Sequence, residues 1–335
     1  MLTIFDRSPR ICDGLSRRAV LKAGGLSALG LPLIASAAST EPARAKACIV
    51  LFLMGGPPQH STWDPKPEAP KEIRGAYGPI ATNVPGIQIS ELLEKTASHA
   101  DKLAILRAVS TGDNAHSSSG YYMLTGVPHI PKQVENANPG APNNHPTFGA
   151  VVQNLSRERR LLPPAVRLPM RIFNTDGSVW PGQDSGWLGH TADPWLFHCE
   201  PGSPTFDVPQ FRLGADVTLD RLSRRERLLD QVDQQLRDID RSGAAGSFTA
   251  DQSQVFELLS SPRSRAACDL SLESDAMRDR YGRGQFGQSV LLARRLVEAG
   301  TKFVHVNWFR GTDEPPPNPC WDSHQDETNR LKTAL

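Results

Sequence analysis

Residues 48–54 read Cys-Ile-Val-Leu-Phe-Leu-Met and run straight into Gly55-Gly56-Pro57-Pro58. Seven consecutive apolar residues closed by a glycine–proline turn are the pattern of a strand covered on both faces, so the stretch is expected to form a central strand of a parallel sheet. Downstream, Ile89, Leu92, Leu93, Ala97 and Ala100 recur at helical spacing with Ser90 near the start, and Leu103 to Val109 gives a second apolar run. Strand, helix, strand is the unit of an α/β sheet. The unit returns near the far end, where Phe286 to Ala299 has helical periodicity closed by Gly300 and Lys302 to Trp308 reads as another buried strand. The expected fold class is therefore α/β, with a mostly parallel central sheet flanked by helices.

Two unlike insertions separate these units. Residues 127–215 are rich in Pro, Gly, Asn and Trp and are expected to be loop-dominated, forming the rim or lid of a site. Residues 218–262 are expected to be helical. Over 218–241, Leu222, Leu229, Val232, Leu236 and Ile239 repeat at helical spacing among Arg, Asp and Gln, which gives an amphipathic helix with a solvated face.

Residues 1–45 are expected to lie outside the fold. Ser16-Arg17-Arg18-Ala19-Val20-Leu21-Lys22 precedes an uncharged, mildly apolar run from Ala23 to Ala35, with small residues at Ala35-Ser36-Ala37 and Ala43-Arg44-Ala45. Basic region, apolar core and small-residue cleavage site follow in the order of a twin-arginine export signal. The run falls short of the roughly 20 residues of a membrane span. The expected partner is therefore the twin-arginine translocase, the expected location is the periplasm or another extracytoplasmic compartment, and no stable membrane span is expected. The mature domain is then 46–335.

The chain has 335 residues, Lys+Arg 37 against Asp+Glu 36, and a formal net charge of +1, which gives no electrostatic case for nucleic acid. Five cysteines without a C-x-x-C pair support neither a zinc ribbon nor a disulfide scaffold. No sequence feature calls for a nucleotide cofactor.

Open α/β sheets place their sites beyond the carboxyl ends of their strands, and polar residues gather at three such ends. After the first strand come His60 and Asp64. After the second comes Asp113-Asn114-Ala115-His116-Ser117-Ser118-Ser119-Gly120, with a helix expected over Ser117 to Leu124. After the last comes Trp321-Asp322-Ser323-His324, where Asp322 and His324 leave an extended segment on the same side. Imidazole with carboxylate is ligand chemistry for zinc, manganese or iron, whereas all-carboxylate sets suit calcium or magnesium.

The run Gly55 to Pro67, the segment Ile80 to Ile87, Asp113 to Gly126, Tyr281 to Gly300 and Trp321 to His324 resemble the exported bacterial proteins of the DUF1501 family, abundant in planctomycetes and placed in the alkaline-phosphatase-like superfamily with the sulfatases. The resemblance covers essentially the whole mature chain. It implies an alkaline-phosphatase-like, metal-supporting fold with His60, Asp64, His116, Asp322 and His324 around one or two divalent ions (zinc, manganese, calcium or magnesium). The substrate it implies is a small anionic ester or a sulfated or phosphorylated glycan, hydrolysed at its phosphate or sulfate ester bond. By analogy with sulfatases, whose nucleophile lies nine residues before the Thr of a Leu-Thr-Gly segment, counting back from Thr125 reaches His116, with Ser117 the nearest hydroxyl.

Two departures accompany the resemblance. Members usually carry an acidic residue where this chain has Ser61, so the shell is expected to lack one carboxylate and metal affinity to be weak. Members also continue past the W-D-[ST]-H motif, whereas Asp326 to Leu335 reads as the opening turns of an amphipathic helix, so the chain is expected to be a C-terminally truncated member with an incomplete sheet. The alternative function is a non-catalytic exported binding protein that keeps the fold with a degenerate metal site.

Overall fold

A computed structural model describes residues 45–156, 161–174, 176–203, 260–308, 321–322 and 326–334, together with positions 208, 217–218, 220–225, 227–229 and 231. The architecture below belongs to the unit Ala47–Leu335. Its strands are β1 (Cys48–Leu53), β2 (Pro79–Ala81), β3 (Gln88–Ser90), β4 (Ala165–Leu168), β5 (Trp195–Leu196) and β6 (Phe303–Trp308). Its helices are α1 (Lys71–Arg74), α2 (Glu94–Ala97), α3 (His116–Thr125), α4 (Phe148–Leu155), α5 (Pro262–Cys268), α6 (Asp275–Tyr281), α7 (Gln285–Glu298) and α8 (Glu327–Ala334). Four strands form the main sheet in the order β1-β6-β4-β5, every neighbouring pair parallel, while β2 and β3 make a separate antiparallel pair. The α/β reading with a parallel sheet and flanking helices therefore holds.

The sheet is organised around β6, the strand the sequence marks as buried. Val304 and Val306 on one of its faces join Val166 and Leu168 of β4 and meet Leu291, Leu292, Ala293 and Leu296 of α7 in the main core. Side chains alternate across a strand, so the same residues of β6 that are skipped here define the other face. That face carries Phe303 and then two polar residues: His305 and Asn307 lie beside Arg167 of β4, and all three polar side chains are buried. α7 ends as its sequence predicts. The Ala299 amide donates to the Arg295 carbonyl, Gly300 takes φ +113°, and the Thr301 amide returns to the Leu296 carbonyl, turning the chain into β6.

Four expectations are corrected. Among the described residues the stretch Cys48–Leu53 is an edge strand, not a central one: it pairs on one side with β6, and Ile49 and Leu51 are exposed. Leu103 to Val109 is irregular, because Arg107 donates to the carbonyls of Trp63 (3.1 Å) and Gln88 (2.6 Å), tying the segment to the turn at Trp63 and to β3 and leaving Leu103, Leu106 and Val109 exposed. The helix expected from Ile89 to Ala100 shrinks to a 3-10 turn at Glu91–Leu93 and the short α2, with the Ser90 hydroxyl capping Leu92 as anticipated. The 127–215 region is no mere rim, since it supplies α4 and the sheet strands β4 and β5. Of the helix expected over 218–241, the described positions 220–225, 227–229 and 231 are helical, Thr218 precedes the helix, and the rest lies outside the described residues. Residues 1–44 also lie outside them.

Cys199 and Cys268 are buried in the main core and Cys48 is exposed. Burial pushes the Cys199 thiol up to about 12 and the Cys268 thiol higher still, so both behave as apolar core residues. Among the described residues no helix is long and apolar enough to cross a membrane.

Candidate functional site

The turn after β1 brings the backbone of Gly55 against Asp322. Gly55 takes φ +95°, and a Cβ there would fall 2.7 Å from the Asp322 nitrogen and 2.8 Å from its Cβ. Only glycine permits both the conformation and the approach. Held there, the Asp322 carboxylate reaches the first residue of α3, with Oδ2 3.0 Å from His116 Nε2.

The α3 N-terminus is built by its neighbours' side chains. Asp113 Oδ1 accepts the amides of Ala115 (3.1 Å) and Gln133 (3.2 Å), and Glu135 Oε1 accepts the amide of His116 (2.8 Å). A carboxylate thus already meets the positive end of the helix. Ser117, the candidate nucleophile, is fully buried; its hydroxyl donates to the Val134 carbonyl (2.9 Å) and accepts from the Ala137 amide (2.9 Å). In this arrangement it straps the 134–137 loop to the helix and has no opening towards a substrate. Gly126, at φ +75°, closes α3 in the left-handed region.

A cavity of about 440 Å³ opens beside His116, between β1, the Gly55-Gly56-Pro57 turn and one face of α3. Asp113, Asn114, His116 and Ser119 line its polar side, and Phe52, Met123 and Trp180 its apolar side.

His60 finds a different carboxylate. Its Nε2 lies 3.1 Å from Glu327 Oε1, and the fully buried Ser61 hydroxyl donates to the same oxygen at 2.6 Å. Glu327 opens α8, which is anchored by Leu331 in a cluster with Tyr77 and Trp321 and by the Tyr77 hydroxyl donating to the Thr328 carbonyl. Burial, with added repulsion from Glu327, Glu91 and Asp326, raises the Tyr77 phenol above its usual value and keeps it a donor. The backbone of Gly75 (φ +76°) also presses so closely on the imidazole that a Cβ would sit 2.6 Å from His60 Cδ2 and 3.1 Å from its Nε2. The ring is therefore clamped.

Asp64 faces elsewhere. Its carboxylate pairs with Lys66 (2.5 Å) and lies 3.7 Å from Arg107 Nε, lining a second cavity of about 630 Å³ under the 103–109 segment. Of the five expected ligands, the structure joins His116 to Asp322, gives His60 the carboxylate of Glu327, and turns Asp64 towards cations. His324 lies outside the described residues. Among the described residues no three His, Cys, Asp or Glu side chains gather as one ion-holding group.

The donor chemistry of the two pairs nevertheless fits a divalent ion. Imidazole nitrogen with carboxylate oxygen is the donor set of such an ion, and the 3.0 and 3.1 Å separations are those of imidazole–carboxylate hydrogen bonds. Sequence reasoning missed Glu327. The signal was present: Glu327 precedes Leu331 by one helical repeat, so a helix that buries Leu331 carries Glu327 inward on the same face.

A family model described as a protein of unknown function (DUF1501) matches residues 45–335. No curated protein and no solved structure matches.

Proposed function

The chain belongs to the DUF1501 family over residues 45–335, and from that premise we propose that it is an exported, metal-supported hydrolase of phosphate or sulfate esters with an alkaline-phosphatase-like fold. The observation that carries this reading is the pairing of His116 with Asp322 at 3.0 Å, beside the cavity where β1 ends. Catalytic centres of parallel α/β sheets lie at this end of the strands. Asp322 and His116, joined by His324 of the same D-x-H motif, would hold a divalent ion, and His60 with Glu327 a second. Such an ion, when bound, polarises the ester oxygen and lowers the pKa of water.

This chain's own residues supply orientation. In this reading Asp322 Oδ2 and His116 Nε2, 3.0 Å apart, would be neighbouring ligands, and Glu135, which accepts the His116 amide at 2.8 Å, helps to place that residue at the start of α3. Asn114 and Ser119 line the polar wall next to it. The attacking oxygen in this reading belongs to water, since the Ser117 hydroxyl is buried and committed on both sides. Its bond to phosphorus or sulfur forms as the bond to the alcohol oxygen breaks, and the alcohol leaves with a proton.

The test is hydrolysis of 4-nitrophenyl phosphate and 4-nitrophenyl sulfate with zinc or manganese supplied. Activity in the wild type that falls by at least about a hundredfold in His116→Ala and Asp322→Asn supports the reading. Absence of turnover of either ester overturns it in favour of a non-catalytic binding protein. The pairing of Asp64 with Lys66 favours that second reading, because a carboxylate already neutralised by an ammonium is a poor ligand.

Export by the twin-arginine translocase belongs to the same proposal and rests on Arg17 and Arg18. Changing both to Lys keeps the charge and removes the guanidinium pair, so the precursor is expected to stay in the cytoplasm. Normal appearance of the double variant in the periplasm would end the export reading.

A further inference from the structure

We infer that the cavity beside His116 receives the alcohol portion of the substrate and selects an aromatic group, so that aryl phosphates or aryl sulfates are preferred over esters of sugars. This rests on the hydrolase reading for the ester itself, but the selection follows from the walls of the cavity.

Those walls are unlike a glycan site. A sugar ring presents hydroxyls on every side and needs several hydrogen-bonding side chains to replace water. Here, among the described lining residues, there is no lysine or arginine, and the polar side chains sit together at the His116 end. Two of them are already engaged: Asp113 Oδ1 accepts the Ala115 and Gln133 amides, and the Ser119 hydroxyl lies 2.8 Å from that of Thr111. The opposite wall is apolar. Phe52 and Trp180 meet edge to face, with ring centroids 6.4 Å apart and planes at 86°. Met123 and Leu51, 51% and 47% exposed, form the rim.

Glycine sets the shape of the cavity. A Cβ on Gly120 would fall 2.2 Å from Trp180 Cζ3, so the indole lies directly on the α3 backbone and makes a flat floor. Gly55 and Gly56 leave the facing turn without side chains. A volume of about 440 Å³ suits one ring system rather than an oligosaccharide. Methionine and aromatic edges are favourable partners for a flat aromatic guest. Among the described residues no lysine or arginine lines the walls, so in the hydrolase reading the anionic end of the ester lies at the imidazole end, where the ion would offset the neighbouring carboxylates, and the uncharged aryl group fills the remainder.

The full chain, labelled with ¹³C-methyl methionine, offers a readout that does not need turnover, since it contains five methionines and Met123 is the one in this cavity. Phenol, phenyl phosphate and glycerol 3-phosphate are the probes, and Met123→Leu assigns the resonance. Phenol and phenyl phosphate are expected to shift the Met123 methyl in a saturable manner while glycerol 3-phosphate leaves it in place. Met123→Lys, a change on an exposed rim, is expected to weaken phenol binding about tenfold. A Met123 methyl that ignores phenol, or that responds equally to glycerol 3-phosphate, overturns the inference. Aryl binding without hydrolysis of any ester would leave the inference standing and sink the hydrolase reading. Equal hydrolysis of phenyl phosphate and glycerol 3-phosphate would do the reverse.

Discussion

His305 lies in the middle of the sheet, between Phe52 of β1, whose ring centroid is 5.6 Å away, and Arg167 of β4 in register beside it. Burial, reinforced by the Arg167 charge, pushes its pKa down to about 3 from 6.5, so the folded protein holds it neutral. Above pH 6.5 the imidazole is neutral in the folded and unfolded chain alike, and its contribution is fully present. Below pH 6.5 the unfolded chain takes up a proton that the fold refuses until about pH 3, and stability falls by up to about 1.4 kcal/mol per pH unit from this residue. Urea unfolding between pH 7.5 and 5 should therefore show a steeper loss in the wild type than in His305→Gln, which has no proton to bind. Parallel curves for the two proteins would show that the imidazole is not held neutral. The sequence around His305, Val-His-Val-Asn-Trp, announced a strand but hid this polarity, because alternation shows only that His305 and Asn307 share a face and not what covers it. The cover comes from Gln183, Thr147 and Ile172, contributed by the region that reads as loops.

At the level of elements, what the sequence revealed depended on whether local pattern and tertiary burial agreed. α7 and β6 were legible within a residue or two because the helical stripe Leu291, Leu292 and Leu296, the glycine stop and the β-branched run that follows all name one structure. α3 was equally plain, closed by Gly126. Cys48 to Met54 was legible as a strand but not in its position, since a continuous apolar run reports strand type and says nothing of how many neighbours pair with it. Leu103 to Val109 failed for a different reason. Its apolar residues promised burial, yet Arg107 commits its guanidinium to the carbonyls of Trp63 and of Gln88 in β3, and that long-range tie overrides local propensity. β4 escaped notice because Ala165-Val166-Arg167-Leu168 is four residues long and carries a charge at its centre. Arg167 is tolerated there because it donates to the Gln183 carbonyl and to Asp184 Oδ1 (3.2 Å), partners that no window of adjacent residues contains.

Over the whole molecule the decisive feature is how the segment after β6 returns to the first half of the chain. Asp322 meets His116 and Glu327 meets His60, so one stretch brings a carboxylate to each of two histidine loops that the sequence keeps far apart. The sequence suggested the first meeting by setting His116 and Asp322 after two strands, although the first of those, at 103–109, is irregular in the folded chain. It left the second unseen because a serine at position 61 reads as a lost carboxylate, whereas the folded chain brings the carboxylate of Glu327 to within 2.6 Å of the Ser61 hydroxyl. The account stands on these imidazole–carboxylate pairs holding divalent ions. Its most direct test is equilibrium dialysis of the full chain against zinc and manganese, followed by metal analysis of the wild type, His116→Ala, Asp322→Asn and Glu327→Gln. The account predicts about one to two ions per wild-type chain, with each variant binding at least about tenfold more weakly. A wild-type chain that retains no ion at millimolar metal, or variants that retain as much as the wild type, would contradict it.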